Sequence, residues 1–250
     1  MRLKLLACKV FFREISLIAS VCENYLDVTY IRQGLHDTPN LLKESLQREI
    51  DGIDSGSDLH SSKFEYSNKD FDAILLGYGL CGNGVVGLSS KKYTLVVPRA
   101  HDCVTLFLGS RQAYKDYFEK HNGTFWYNVS LIENSSGLPS EETDIENLKI
   151  YTEHFGEEDA RYILENCRPV NYNRCTYVKW DELNFPKYEQ CTKDAAAYLG
   201  WDFDIVLGNS GLLRDFMNGD WDEENFLVVP PGKKIEANYQ DMELIVKTED

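Results

Sequence analysis

Short apolar runs alternate with helical patterns through the first half of the chain, and this alternation limits the fold more than any other feature. Strands that alternate with helices predict a parallel sheet with helices on both faces, as in Rossmann-like and flavodoxin-like α/β folds. The predicted segments are, in order, strand Leu3–Phe12, helix Arg13–Asn24, strand Leu26–Arg32, a helix from Thr38-Pro39, strands Phe71–Gly77 and Tyr93–Val97, and helix Arg111–His121.

Two distant segments of the chain are similar to each other. The sequence FDAILLGYGLCGNGVVGLSSKKYTLVVP at 71–98 aligns without gaps on FDIVLGNSGLLRDFMNGDWDEENFLVVP at 203–230. This internal repeat predicts two similar α/β lobes with parallel sheets, related by a pseudo-twofold axis, with the functional site in the cleft between them. We expect an N-terminal lobe at 1–132 and a C-terminal lobe at 133–250.

The charge balance and the cysteine content limit the class of protein. The 250 residues include 26 basic and 41 acidic side chains, a formal charge of −15 that disfavours nucleic acid as a partner. No run of about 18 apolar residues is present, so a membrane span is not expected. Leu5-Leu6-Ala7-Cys8 resembles a lipoprotein cleavage site, but the apolar stretch before it is too short for export. We therefore expect a cytoplasmic protein whose seven cysteines are reduced.

Soft metal-ligating residues follow several of the predicted strands. His36 lies in QGLHDTP, Cys81 in GYGLCGNG, and His101 and Cys103 in VVPRAHDC, while Cys8 is late in the first strand. Because the loops after parallel strands meet at one edge of a sheet, these residues are expected to converge there. The second copy of the repeat has no such ligands: Leu213, Lys233 and Ile235 align with Cys81, His101 and Cys103. This asymmetry favours a functional role for the first copy.

This combination of thiols and imidazoles predicts a metal centre. Cys81, His101 and Cys103 are the main candidate ligands, with His36 and Cys8 as further ones, and zinc is the expected metal. An iron–sulfur cluster held by Cys8, Cys81 and Cys103 is the alternative.

Cys81 and Asp102 are the candidate catalytic residues. Cys81 precedes Gly82-Asn83-Gly84 at a predicted helix start, where the helix dipole would lower its pKa. Asp102, or Asp37, could orient a ligating imidazole.

The chemical type of several other residues indicates a role in substrate binding or in packing. Asn83 and Arg99 are candidate substrate-binding residues because they can hold an anion, and Trp126 in GTFWYN is a candidate cleft wall. The glycine spacing around Cys81 does not give the dinucleotide-binding pattern GxGxxG. Cys167, Cys175 and Cys191 have irregular spacing and are expected to serve packing.

The motifs LLACKVFFREI, QGLHDTP, ILLGYGLCGNGVVGL, VVPRAHDCVTLFLGS, GTFWYN and FLVVPPG resemble those of the domain of unknown function 1638 family. The resemblance implies an anaerobic cytoplasm, one-carbon metabolism and an association with corrinoid-dependent methyl transfer. The residues that match the family are Cys8, His36, Cys81, His101 and Cys103.

Three functions remain open at this point. The leading hypothesis is a metal-binding enzyme that acts on a small molecule, with the soft site as a Lewis acid or thiol-activating centre, in a transferase or lyase type of reaction. A delivery or accessory module for a corrinoid or methyltransferase protein is the alternative, because an acidic surface suits a basic partner. A metal-free racemase with two catalytic cysteines is disfavoured, because Leu213 stands where the second thiol would be.

Overall fold

A computed structural model describes residues 1–57, 70–166, 171–238 and 243–246. Its contacts divide the chain into two compact units. Unit 1 consists of Met1–Tyr114 and Asn209–Asp250, and unit 2 consists of Lys115–Gly208. The predicted lobes, 1–132 and 133–250, group the residues differently, because residues 209–250 join the N-terminal residues in unit 1.

Unit 1 is built on a five-stranded sheet in the order β2-β1-β3-β4-β8. The first four strands are parallel, and β8 pairs antiparallel with β4. The predicted mixed α/β fold with parallel strands is therefore confirmed. The strands are β1 (Arg2–Cys8), β2 (Tyr25–Ile31), β3 (Ala73–Gly77), β4 (Thr94–Pro98) and β8 (Phe226–Val229).

Helices cover this sheet because their apolar residues pack against the apolar residues of the strands. In α2, the buried side chains Leu42, Leu46, Ile50 and Ile53 recur every three or four residues along one face. They join a core cluster with apolar residues of β1, β3 and β4, whose side chains are almost fully buried. The helices of this unit are α1 (Phe12–Ala19), α2 (Pro39–Asp54), α3 (Cys103–Leu108) and α9 (Gly211–Asn218), and α4 (Arg111–Lys120) leads from unit 1 into unit 2.

The strand order creates a topological switch point between β1 and β3. The chain passes from β1 to β2 on one side and then crosses to β3 on the other side of β1. The loops that leave the carboxyl ends of β1 and β3 therefore diverge, and in open α/β sheets ligands bind in the crevice left there. Cys8 ends β1 at this point, and Gly77 ends β3.

The two similar segments differ in structure. In the first segment, β3 and β4 are neighbours in one sheet. In the second segment, the first strand, β7 (Asp202–Leu207), lies in the sheet of unit 2, and the second strand, β8, lies in the sheet of unit 1. The LVVP residues of β4 and β8 instead pair antiparallel with each other, from Leu95 with Val229 to Pro98 with Phe226. The expectation of strands that are parallel throughout is corrected for β8, because an apolar pattern does not encode strand direction. The two-lobe pseudo-symmetry stays a prediction.

The carboxyl-terminal part of unit 1 also contributes a hairpin, β9 (Ile235–Asn238) with β10 (Glu243–Val246). The N–H of Ile235 donates to the carbonyl of Leu88, and the N–H of Gly87 donates to the carbonyl of Ile235. The hairpin is thereby tied to the connection between β3 and β4.

Unit 2 contains a parallel three-stranded sheet in the order β5-β6-β7. Tyr127, Cys175, Tyr177 and Ala196 form its buried cluster. None of the described helices of the chain combines the length and apolar character that a membrane crossing requires. The elements of unit 2 are β5 (Thr124–Tyr127), α5 (Val129–Glu133), α6 (Glu141–Phe155), α7 (Glu157–Asn166), β6 (Arg174–Lys179), α8 (Pro186–Leu199) and β7 (Asp202–Leu207).

Candidate functional site

The loops after β2, β3 and β4 meet at one edge of the unit 1 sheet. The N–H of Leu80 donates to the carbonyl of Ala100 over 2.8 Å, and the N–H of Cys81 donates to the carbonyl of His101 over 3.3 Å. A Cβ placed on Gly82 would lie 3.3 Å from the carbonyl oxygen of His36. The backbone segments that carry Cys81, His101 and His36 are therefore in direct contact, beside the switch point.

The turn after β3 has a left-handed backbone. Cys81 has φ +45° and Asn83 has φ +74°, and these are the two described non-glycine residues with positive φ. Gly82 between them has φ +64°. Left-handed backbone costs a non-glycine residue about 1–2 kcal/mol, and in proteins such strain concentrates at functional sites. The backbone at Cys81 is thus held in an unfavourable conformation by its surroundings.

The predicted helix start at Cys81 is wrong. Residues 78–93, all of which the structure describes, form a three-residue 3-10 turn at Cys81–Asn83 and no α-helix. The dipole of a helix that begins at Cys81, on which the expectation rested, is therefore not present. Burial instead raises the pKa of Cys81 to about 12, and the carboxylate of Asp102 adds to this effect. The expected low pKa of Cys81 is corrected for this reason.

The thiols of Cys8, Cys81 and Cys103 share one electrostatic character. The pKa of Cys103 is raised well above its ordinary value, first by burial and then by Asp102, Cys81 and Cys8. Burial also raises the pKa of Cys8. Although each of these residues keeps part of its surface accessible, the surrounding protein favours the protonated thiol. The predicted grouping of the three side chains in one metal site stays a prediction.

Sequence reasoning missed Tyr78, the first residue after β3. Tyr78 is 3% exposed, and its hydroxyl oxygen has no hydrogen-bond partner among the described residues. Burial and then Cys8 and Cys81 raise the pKa of Tyr78, and both cysteines pack against the core cluster that contains this residue. The sequence signal that could have identified Tyr78 as a site residue is its position directly after an apolar strand, within a Gly-rich turn.

Asp102 organises the loop after β4. Its Oδ1 accepts hydrogen bonds from the N–H groups of Val104 and Thr105 and so caps α3. Its Oδ2 accepts the hydroxyl of Tyr114 at 2.8 Å and lies 3.2 Å from Nδ1 of His101. The Asp102 hydrogen bond raises the pKa of His101. With Nδ1 directed at a carboxylate, the Nε2 atom of His101 is the nitrogen left for a ligand.

The remaining predicted site residues have different surroundings. His36 is exposed, and its Nε2 lies 3.4 Å from Oδ1 of Asp37. Asn83 is exposed on the left-handed turn. Arg99 donates from Nε to the carbonyl of Glu223 and from Nη1 to the carbonyl of Leu244, so these donors hold the β8–β10 region. Trp126 lies in β5 of unit 2, 4.9 Å between ring centroids from Tyr117.

The donor set suits a soft metal ion in its chemistry, because three thiols and an oriented imidazole are ligands that zinc and iron–sulfur clusters share. As the side chains stand, no three or more His, Cys, Asp or Glu residues in the described ranges are arranged to hold a metal ion. Coordination by these residues would therefore require their side chains to turn toward one another.

The three cysteines that the sequence predicts to serve packing differ in their surroundings. Cys175 is fully buried in unit 2, which confirms its packing role. Cys191 is exposed on α8, so the packing assignment is wrong for this residue. Spacing in the sequence alone does not reveal which face of a helix a cysteine occupies. Cys167 lies outside the described residues.

A comparison with protein families gives one match, to the model described as protein of unknown function (DUF1638), over residues 30–217. The matched segment contains four of the five family residues identified in the sequence, namely His36, Cys81, His101 and Cys103. No curated protein and no solved structure matches the chain.

Proposed function

The chain belongs to the DUF1638 family of proteins of unknown function, and from the site it carries we propose that it is a metal-dependent enzyme of one-carbon metabolism. In this proposal the cysteines at the switch point of unit 1 would hold a soft metal ion, which would supply the Lewis acidity needed to activate a small thiol as a methyl acceptor. The association with anaerobes, a cytoplasmic location and corrinoid-dependent methyl transfer, which the family resemblance implies, is part of the same proposal.

The observation that supports it best is the contact between the separate segments that carry the three thiols. Cys8 ends β1, Cys81 follows β3 and Cys103 follows β4. Ala7 before Cys8 pairs with Gly77 at the end of β3, and the N–H of Cys81 donates to the carbonyl of His101 in the loop before Cys103. Burial and Asp102 keep these thiols protonated. A thiophilic cation would offset this negative potential and favour the thiolates, so the protein fits a function in which metal binding and thiolate formation occur together.

Each residue has a distinct role in the proposed site. Cys81 and Cys103 are the principal ligands, with Cys8 beside them, and zinc bound there would stabilise negative charge on a substrate sulfur. Asp102 orients His101 through Nδ1 and so directs Nε2 outward, either as a ligand or as an acceptor for the proton of the incoming thiol. His36 is a further candidate ligand, because its carbonyl already lies against Gly82.

Metal analysis of protein purified without oxygen tests the metal centre. We expect about one equivalent of metal in the wild type, and a loss of most of it in C81S and C103S. C191S is the matched control, because Cys191 is an exposed thiol in unit 2. The proposal fails if the wild type holds less than about a tenth of an equivalent of any metal, before and after reconstitution.

The absorption spectrum of the same samples identifies the centre. A colourless protein with bound metal indicates zinc, whereas a brown protein indicates the alternative, an iron–sulfur cluster on Cys8, Cys81 and Cys103. C8S separates the two further, because it removes one of three required ligands from the cluster but leaves Cys81, Cys103 and His101 for zinc.

A methyl-transfer assay separates an enzyme from a delivery module. With methylcobalamin as donor and 2-mercaptoethanol as acceptor, the thiol sulfur forms a bond to the methyl carbon while the cobalt–carbon bond breaks. The electron pair of that bond stays on cobalt, giving cob(I)alamin, and the thiol proton passes to water. We expect turnover with the wild type and C191S and none with C81S. Bound metal without turnover, followed by its release to a methyltransferase, would favour the delivery module instead.

A further inference from the structure

Tyr78 has a buried hydroxyl that no described residue satisfies. The side chain is 3% exposed, and its ring belongs to the core cluster that α2 forms with the sheet. A buried polar group without a partner is costly, and each one in a native structure requires an explanation such as strain, a bound water or ion, or a functional role. The hydroxyl is therefore a feature that needs an explanation beyond packing.

The position of this hydroxyl connects it with the thiols. Tyr78 directly follows β3 at the switch point, where Gly77 pairs with Ala7, the residue before Cys8. Both Cys8 and Cys81 pack against the core cluster that contains Tyr78. Neither sulfur meets the distance and angle of a hydrogen bond with the hydroxyl. The hydroxyl thus makes no hydrogen bond to either thiol, and its donor is unused in the substrate-free protein.

We propose that Tyr78 is a substrate-binding residue, and that its hydroxyl donates a hydrogen bond to the sulfur of a small thiol bound beside Cys8 and Cys81. This inference rests on the proposed function for its substrate class. A thiolate sulfur accepts a hydrogen bond far better than a neutral thiol does. The protein therefore gains the missing hydrogen bond only when the substrate is bound.

Burial supports a donor role for Tyr78. It is the largest cause that raises the pKa of the phenol, so the O–H stays protonated and remains a donor when negative charge develops on a sulfur.

Tyr78→Phe is the informative variant, because it removes the hydroxyl and keeps the ring in the core. Tyr93→Phe is the matched control. Tyr93 directly precedes β4, whereas Tyr78 directly follows the parallel strand β3, so the two tyrosines lie at opposite edges of the sheet. The hydroxyl of Tyr93 donates to Asp70 at 3.2 Å. In substrate-free protein we expect Y78F to match or exceed the Tm of the wild type, since an unsatisfied group is lost. Y93F is expected to lower Tm. A fall in Tm with Y78F as large as with Y93F would overturn the proposal.

The binding measurement uses 2-mercaptoethanol as the probe. In protein loaded with Co²⁺, we expect the Kd of the probe from absorption titration to rise about tenfold in Y78F and to stay unchanged in Y93F, as expected for a hydrogen bond to a charged group. A Kd within twofold of the wild type in Y78F would overturn the proposal.

A metal-independent measurement keeps the two proposals separate. The ζ-carbons of the tyrosines are labelled with ¹³C and observed by NMR. The signal of Tyr78 is identified as the one that is absent from Y78F. We expect this signal to shift when 2-mercaptoethanol is added. If the wild type takes up no metal and this signal still shifts, the metal centre is refuted and the role of Tyr78 stands. If the signal does not shift at saturating probe, the role of Tyr78 is refuted whatever the metal content.

Discussion

The Nδ1 atom of His101 lies 3.2 Å from Oδ2 of Asp102, and this contact leaves Nε2 as the imidazole nitrogen that can bind a ligand. The hydrogen bond raises the pKa of His101, so the pair stabilises the folded state below the unfolded pKa of histidine and loses that effect as pH rises through the folded value. The side chain is 54% exposed, so the contribution to stability is small.

Asp102→Asn is expected to lower the pKa of His101, because the amide cannot offer a charged acceptor. An NMR titration of the imidazole signals measures this directly. Asn still caps α3, whereas Asp102→Ala loses the cap and is expected to cost about 1 kcal/mol of stability. A pKa of His101 that is unchanged in D102N would show that the carboxylate does not hold the ring.

The buried thiols are expected to react slowly in metal-free protein. With its pKa raised to about 12, only about one Cys81 in 10⁴ is a thiolate at pH 8. The alkylation rate of Cys81 should rise with pH well beyond pH 9, while exposed Cys191 reacts first. Mass-spectrometric mapping after iodoacetamide treatment measures each site, and equal rates for Cys81 and Cys191 at pH 7.5 would contradict this expectation.

Gly79→Ala is expected to disturb the contact between the two loops. A Cβ at this position would lie 2.7 Å from the carbonyl oxygen of Ala100 and 3.0 Å from the nitrogen of Asp102. Backbone must move to accept it, at a cost of about 1–3 kcal/mol in the free energy of unfolding. Gly56→Ala is the control, because it meets no atom within 4 Å and adds only the cost of left-handed backbone. Urea denaturation compares them, and equal losses would mean that Gly79 has no steric role.

Lys4 and Asp27 form a buried ion pair between β1 and β2. The ammonium of Lys4 is fully buried and lies 2.9 Å from Oδ1 of Asp27. Asp27→Asn is expected to lower the free energy of unfolding by about 3 kcal/mol, since the ammonium loses its charged partner. Replacing both residues, as in K4M/D27L, should restore much of this loss. A double variant less stable than D27N would show that the pair does more than balance charge.

The sequence predicted the strands better than their pairing. The apolar runs located β1, β3 and β4 to within a few residues, because a buried parallel strand must be apolar throughout. The direction of β8 was missed, since Phe226–Val229 has the same pattern in either orientation. Its partner is chosen by tertiary contacts, which a local pattern does not contain.

The sequence predicts which loops meet at the candidate site, and not their local conformation. The loops that carry Cys81 and His101 are in contact, as expected for loops that follow parallel strands at one sheet edge. The left-handed turn at Cys81 was missed, because Gly82-Asn83-Gly84 is compatible with both a helix start and a tight turn. The free hydroxyl of Tyr78 was also missed, since a missing partner is a property of three-dimensional surroundings.

The antiparallel pairing of β4 with β8 has a consequence for biosynthesis. Because Phe226–Val229 is translated after all of unit 2, the ribosome has made the whole of that unit before the outer edge of β4 finds its partner. Until then the nascent chain presents an open strand edge, a template for mispairing that chaperones would have to shield. Completion of the unit 1 sheet therefore waits until unit 2 has been translated.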